Sequence, residues 1–365
     1  MKRERTPTDV RGPDVVKGGM ALLRSVATVG SYTLASRVLG FVRDILTAAI
    51  LGAGTVADAF FVAQRLPNLF RSLFAEGAFS AAFVPLTAGA LAEGGKAAAR
   101  EFAEEAFAAL FAVLLVFVVL GEILMPWVLR VIAPGFEAEP GKFALVIELT
   151  RITFPYLLFI SLTALQGGLL NAVDRFAAPA ATPILLNVFL IAALLAMWHF
   201  GWQAGHVLAL ALTAAGMAQF LWLMASCARA GVRLRLRRPR LTPRVRETLR
   251  IMAPGVFGAG VTQLNLLIST AVASLLPSGS VSYLYYADRL NQLPLGVVGI
   301  AIGTAILPPL ARQVRAGDDA GAAATQNRGV ELALLLTLPA AAALIVLAGP
   351  ILAALFERGA FGLVQ

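Results

Sequence analysis

The sequence predicts an all-α protein that crosses a membrane many times, and three observations support this fold class. Hydrophobic residues make up 59% of the chain and charged residues only 14%, with a mean hydropathy of +0.80, which is outside the range of a soluble domain. Apolar stretches long enough to cross a bilayer follow one another closely. An internal repeat relates the two halves. We therefore expect two six-helix lobes around a central cavity, the second lobe being incomplete.

Glycine, proline and charged connections divide the chain into nine complete spans. The spans are predicted at 25–51, 55–91, 106–130, 144–170, 177–199, 205–228, 249–276, 281–311 and 329–349. A tenth span begins near Pro350 and stops with the chain. The second and eighth spans are longer than one crossing needs and contain proline, so both are expected to bend or tilt.

Lysine and arginine predict the orientation. They cluster in the tail 1–24 and again in the connection 229–248, and the formal net charge is +9. Both segments should be cytoplasmic, which requires the even number of six spans between them. The domains are thus a tail (1–24), a first lobe (25–228), an Arg-rich connection (229–248) and a partial second lobe (249–365).

The Arg-rich connection permits two interpretations. It is either a topology signal that stays inside the cell or an interfacial helix that binds anionic headgroups. Nucleic acid is not an expected partner, because no soluble domain is present to carry the basic surface.

The repeat appears at an offset of 224 residues without gaps. Arg65 then corresponds to Arg289, and the prolines at 85 and 126 correspond to those at 309 and 350. Because the offset covers six crossings, the two lobes have the same orientation, a known transporter plan. On this count we expect a C-terminally truncated chain that lacks at least two spans.

Charged residues inside the apolar stretch 36–86 are the main functional signal. A charge at bilayer depth is costly, so such residues usually face a cavity, form pairs or act on a ligand. Arginines outnumber acids here, which predicts a cavity for an anion. The charged residues are Arg37, Arg43, Asp44, Asp58, Arg65, Arg71 and Glu76.

Helical spacing sorts these residues. Positions seven apart share a helix face, as Arg37 and Asp44 do, and Asp58 and Arg65. Each pair is either a buried ion pair or part of a site. Glu76 continues the second stripe, although Pro67 interrupts the helix.

Arg43 and Arg71 have no acid at matching spacing, so they are the preferred anion ligands. Arginine suits a pyrophosphate because its planar fork makes bidentate bonds.

In the second lobe, Asp288 and Arg289 are adjacent and so cannot share a helix face. Tyr283, Tyr285 and Tyr286 fit an interfacial belt better than a sugar-stacking role. No nucleophile–base set and no metal-ligand spacing is recognisable, so we expect neither an enzyme nor a cofactor.

Four segments of the sequence resemble those of one family. SRVLGFVRD, GAGTVADAFFVA, LPNLFRSLFAEGAFSAAFVP and YYADRL are similar to the MurJ (MviN) family. These are lipid II flippases of the multidrug/oligosaccharidyl-lipid/polysaccharide (MOP) exporter superfamily. The family fold has fourteen helices, of which this chain would cover about ten.

The resemblance implies a flippase that moves a lipid-linked peptidoglycan precursor across the cytoplasmic (inner) membrane by alternating access, with the N-terminus inside. Its partners would be lipid II, membrane lipids and peptidoglycan synthases. Our own hypothesis for the mechanism is that Arg43, Arg71 and Arg289 hold the pyrophosphate while the lobes rock. Bends rich in glycine and proline, including Gly52 and Gly54, would absorb the motion. The family's functional positions carry over to Arg37, Arg43, Asp58, Arg71 and Arg289, with Asp288 beside the last. One departure is Ser72, where family members often have a second basic residue.

Other functions stay open at this point. An exporter of another polyprenyl-pyrophosphate-linked oligosaccharide, of the O-antigen type, fits the same cavity. A cationic-drug antiporter fits poorly, because arginine repels cations. A polytopic enzyme acting on polyprenyl-linked substrates would need catalytic residues on a sizeable loop.

Overall fold

The structure is a computed structural model that describes residues 13–74 and 78–362, and the regular elements in these ranges are all helical. The α-helices are α1 (Pro13–Leu51), α2 (Thr55–Phe74), α3 (Ala78–Ile132), α4 (Lys142–Thr153), α5 (Tyr156–Ala172), α6 (Ala177–Phe200), α7 (Ala204–Arg229), α8 (Pro243–Ser274), α9 (Ser280–Pro294), α10 (Ile300–Arg315), α11 (Asp319–Val346) and α12 (Ala348–Phe356). A 3₁₀ helix at Pro134–Ala138 precedes α4, and a π-helical turn at Leu295–Gly299 joins α9 to α10.

Glycine and proline account for two irregularities in the helices, compared with the predicted spans. The predicted second span (55–91) covers α2 and the first part of α3, and residues 75–77 between them lie outside the described ranges. Helix α3 itself is interrupted at Gly94 and Gly95, where Gly95 has a φ of 66° that glycine adopts without steric cost. The π-helical turn follows Pro294, in line with the bend expected in the eighth span. The predicted tail (1–24) is already helical from Pro13.

Within the described residues, five helical segments are long and apolar enough to cross a membrane. They are Phe79–Ile132, Lys142–Ala172, Ala177–Phe200, Ala204–Arg229 and Asp319–Val346. The other long helices, α1, α2 and α8, carry polar and charged residues along their length. The chain is therefore a multi-pass membrane protein whose less apolar helices are available to line an interior.

The helices form two groups, α1–α7 and α8–α12, which we call the N-terminal and C-terminal groups. Within the first, α1 packs on α6, α2 on α4, and α5 on α3 and α7. The groups meet where α2 contacts α9 and where α3 contacts α8. We call the end that holds the α1–α2 turn the outer end, following the predicted orientation. There the Ala360 amide also donates to the Ala49 carbonyl at 2.8 Å.

The Arg-rich connection lies against α3 rather than forming a helix of its own. Residues 230–242 are without helix, so the alternative of an interfacial helix is excluded for them. Arg237 contacts Glu101 at 3.1 Å and the buried Glu104 at 2.6 Å. The hydrogen bond to Glu101, followed by the charge of Glu104, raises the pKa of Arg237 above its ordinary value. Carboxylates on the first group thus hold the connection in place.

Candidate functional site: an arginine-lined cavity

A cavity of about 450 Å³ lies between α2, α8 and α9. We call it the central cavity. Its lining comprises Phe61, Gln64, Arg65, Asn68, Leu69, Arg71, Ser72, Gln263, Asn265, Leu266, Tyr285, Asp288, Arg289 and Gln292. Three arginines and one aspartate give these residues a formal charge of +2. Amide and hydroxyl side chains supply neutral hydrogen-bonding groups around them.

The repeat-related arginines both reach this cavity. Arg65 comes from α2 and donates to Thr270 on α8. Arg289 comes from α9 and donates to the Tyr285 hydroxyl at 2.9 Å, with its guanidinium 5.0 Å from that ring. The sequence repeat therefore places one cation from each helix group in a common space.

Arg71 enters the cavity one helical turn before the end of α2. Its Nε donates to Asn68 Oδ1 at 3.2 Å, which orients the guanidinium. Asp288 also lines the cavity, and it accepts a hydrogen bond from Gln292. Pro67 is buried within α2. Glu76 lies outside the described residues.

Beside the cavity, Asp44 is the centre of a buried polar cluster. Arg43 donates to Asp44 Oδ1 through Nε at 3.0 Å and through its terminal nitrogen at 2.7 Å, and it also donates to Asn187 Oδ1 at 3.0 Å. The Tyr285 hydroxyl donates to Asp44 at 3.2 Å. Arg289 Nε lies 3.1 Å from Asp44 Oδ2, an ion pair without hydrogen-bond alignment. This cluster links α1 to α9.

The structure corrects the expectation for Arg43 and excludes the ion-pair alternative for both pairs that are seven residues apart. Arg43 is not an unpaired ligand but the direct partner of Asp44. Asp44 does not pair with Arg37, and Asp58 does not pair with Arg65. Seven residues share a helix face but are separated by roughly 10 Å along the axis, beyond ion-pair range. Arg37 is exposed instead, with its guanidinium close to Gly296 in the π-helical turn.

Asp58 joins the two helix groups at the outer end of the bundle. Its carboxylate is 1% exposed and accepts hydrogen bonds from the backbone amides of Gly279 at 2.7 Å and Ser282 at 2.9 Å, and from the Ser282 hydroxyl at 2.6 Å. These donors are the N-terminal turn of α9, where a negative charge is favoured by the exposed amides and the helix dipole. Position 282 is also the repeat equivalent of Asp58, so the first turns of the repeat-related helices α2 and α9 meet there.

We call the contact between Asp58 and the first turn of α9 the outer junction. Lys142 also belongs to it, and sequence reasoning missed this residue. Its ammonium is 1% exposed and lies 3.0 Å from Asp58, 2.9 Å from Glu139 and 2.9 Å from the Ser278 hydroxyl. Its position 84 residues from Asp58 gives no spacing signal. The available signal was a lysine beside glycine at the start of a span, in a connection otherwise poor in basic residues.

Two of the three tyrosines, Tyr285 and Tyr286, also differ from expectation. Tyr286 is buried and donates to the Gly52 carbonyl at 3.3 Å, so it belongs to the core rather than to an interfacial belt. Tyr285 stacks on Phe61 with ring centroids 3.9 Å apart. Its hydroxyl group belongs to the Asp44 cluster, and it therefore supports the site instead of marking the membrane surface.

A helical membrane bundle with a polar cavity between two helix groups has an architecture that is typical of membrane transporters. The chain belongs to the MurJ family: the sequence profile "Lipid II flippase MurJ" matches residues 47–365. "Probable lipid II flippase MurJ" of Rhizobium meliloti (strain 1021) is 49% identical over 346 residues, covering 94% of this chain and 64% of that protein. The counterpart from Vibrio cholerae serotype O1 is 40% identical, covering 93% and 66%. The chain thus spans slightly less than two thirds of the length of these relatives.

Solved structures agree with this assignment. "Lipid II flippase MurJ, inward closed conformation" has a TM-score of 0.78 and 26% identity, over 92% of this chain and 68% of that chain. An inward-facing multidrug-resistance MATE transporter of the MOP superfamily has a TM-score of 0.70 at 16% identity, over 93% and 77%. The second likeness is one of fold. The all-helical fold and the family expected from the sequence are confirmed.

Proposed function

We propose that the protein flips lipid II, the lipid-linked peptidoglycan precursor, across the cytoplasmic membrane, with the pyrophosphate held in the central cavity. The observation that supports this most directly is the convergence of Arg65, Arg71 and Arg289 on one cavity whose lining is otherwise neutral apart from Asp288. Arginine binds phosphate oxygens in a bidentate manner and keeps its charge when it is desolvated. The polyprenyl tail would stay in the lipid beside the helices.

Within this proposal the acidic residues have separate roles. Asp44 positions Arg289 at the cavity wall, and Arg43 balances the charge of Asp44 from the far side. Asp288 stays in the cavity, where it repels anions that lack a complementary hydrogen-bond donor. Arg43 is therefore a positioning residue rather than a direct ligand.

The outer junction supports a mechanism of alternating access. With Asp58 bound to the start of α9, the two helix groups are joined at the outer end. Release of these bonds would let the groups rock about the bound headgroup and open the cavity outward. The N-terminus would lie in the cytoplasm, and peptidoglycan synthases acting at the outer leaflet would receive the product.

Complementation in cells depleted of their own lipid II flippase tests the proposal. We would express the chain, and also a chimera that completes it with the unmatched part of the R. meliloti relative. Rescue by the chimera, and its loss in well-inserted Arg71→Ala and Arg289→Ala versions, is the expected result. Arg315→Ala, at an exposed arginine that does not line the cavity, is the matched control. Insertion without rescue, together with transport of another polyprenyl-linked sugar, would refute lipid II as the substrate.

A further inference from the structure

A second cavity, of about 490 Å³, lies within the N-terminal group between α2, α3, α5, α6 and α7. We call it the side cavity. Asn68 and Arg71 line both cavities, so their side chains form a shared wall. Among the described residues that line the side cavity, Arg71 alone is charged. Its volume is in the range of small-molecule sites, about 300–1,000 Å³.

A buried amide with an unused acceptor faces this cavity. Gln219 on α7 is 2% exposed, and its Nε2 donates to the Thr182 carbonyl at 2.7 Å. Because a carbonyl can only accept, this bond fixes which end of the amide is the nitrogen. Gln219 Oε1 is then left buried without a partner among the described residues. A buried acceptor without a donor costs free energy, so one that also lines a cavity indicates a group that is supplied from elsewhere.

The rest of the lining fits a neutral polar ligand. Asn171 contributes an amide whose side chain makes no hydrogen bond within the described residues, and the Thr163 hydroxyl donates to the Phe159 carbonyl at 2.8 Å and keeps its lone pairs. Leu223 and Pro179 provide apolar surface between these groups. Alternating apolar and hydrogen-bonding surface suits a sugar ring, whose C–H face and hydroxyl edges have the same alternation.

We propose that the side cavity binds the sugar attached to the pyrophosphate, with Gln219 Oε1 accepting a hydrogen bond from a sugar hydroxyl or acetamido N–H. This inference rests on the proposed function, since it concerns the same ligand. In a lipid-linked sugar the pyrophosphate is bonded directly to the ring, so a guanidinium on the shared wall lies where the two parts join. Arg71 would hold the phosphate in the central cavity while the ring enters the side cavity.

Binding of two probes to the purified protein in detergent tests this assignment. One probe is undecaprenyl pyrophosphate without sugar, and the other is the same lipid carrying a disaccharide. Gln219→Leu keeps the volume and removes the acceptor. Gln166→Leu is the matched control, because Gln166 is fully buried on the adjacent α5, neither end of its amide has a hydrogen-bond partner, and it does not line the cavity.

We expect Gln219→Leu to weaken binding of the sugar-bearing probe about 5- to 10-fold, the effect of one lost hydrogen bond, with the bare pyrophosphate unaffected. Ala164→Leu, which fills the cavity from α5, should have the same selectivity even if Gln219→Leu folds poorly. Equal losses for both probes, or no loss in either variant, would overturn the sugar site and indicate a cavity that holds water. Failure of the parent protein to bind even the bare pyrophosphate would instead overturn the proposed function.

Discussion

Replacing Asp58 by asparagine should loosen the outer junction. Asp58 and Lys142 both belong to the N-terminal group, so their ion pair stays formed when the groups separate. At the Asp58 carboxylate itself, the bonds that opening must break are those from Gly279 and Ser282. Hydrogen bonds to a charged group contribute about 1.5–3 kcal/mol each and do not add fully, so we assign about 3 kcal/mol to this contact.

Thiol labelling measures this free energy directly. Ala53 is 7% exposed in the α1–α2 turn, with its carbonyl facing Gly279, and an Ala53→Cys thiol should react with a polar maleimide only when the junction opens. Changing the native Cys227 to serine removes the background reaction. While the open state is rare, the labelling rate is proportional to its population, and about 3 kcal/mol corresponds to a rate increase of roughly 100-fold.

Glu139→Gln provides the matched control. Glu139 also binds Lys142 but makes no hydrogen bond to α9 among the described residues. Its removal should change labelling by less than about threefold, as for a partly exposed ion pair. Equal acceleration by both variants would show that Lys142, and not the carboxylate at the start of α9, holds the junction. An unchanged rate in Asp58→Asn would refute the reasoning altogether.

Three further perturbations have defined outcomes. Arg71→Lys keeps the charge but loses the planar fork, so it should weaken pyrophosphate binding nearly as much as Arg71→Ala in an equilibrium binding assay, and near-parental affinity would argue against bidentate contact. Gly52→Ala should lower the free energy of unfolding by about 2 kcal/mol, because the φ of Gly52 is 65° and a Cβ would collide with the Ala360 carbonyl. Gly54→Ala, with open space around the residue, should leave this free energy unchanged, and thermal denaturation of both variants measures the difference. Glu104→Gln should speed tryptic cleavage within 230–242, while Glu93→Gln should not. Because the pKa of Arg237 is raised, its attraction to Glu101 and Glu104 is complete at every pH below the ordinary arginine pKa and declines only above it. In the parent protein, loss of the arginine charge should therefore not change the rate of tryptic cleavage between roughly pH 6 and 10.

The sequence predicts the helical membrane fold well because hydropathy and length are local properties. It also places Arg65 and Arg289 at equivalent positions, since residues that match in a sequence repeat occupy corresponding places in the two repeated folds. The sequence does not predict which residues the charged side chains contact. Asp58 meets Lys142 and Ser282 across 84 and 224 residues, and such contacts depend on how helices pack, which helical spacing within one span does not report.

The Asp44 cluster has a thermodynamic consequence for ligand binding. A phosphate that takes up Arg289 competes with Asp44 for the same guanidinium, and the displaced carboxylate keeps Arg43 and the Tyr285 hydroxyl as neighbours. Binding of an anion in the central cavity therefore weakens the contact between Asp44 on α1 and Arg289 on α9. Because linkage is reciprocal, breaking the contact between Arg289 and Asp44 must favour binding of the anion by the same coupling free energy with which the anion weakens that contact.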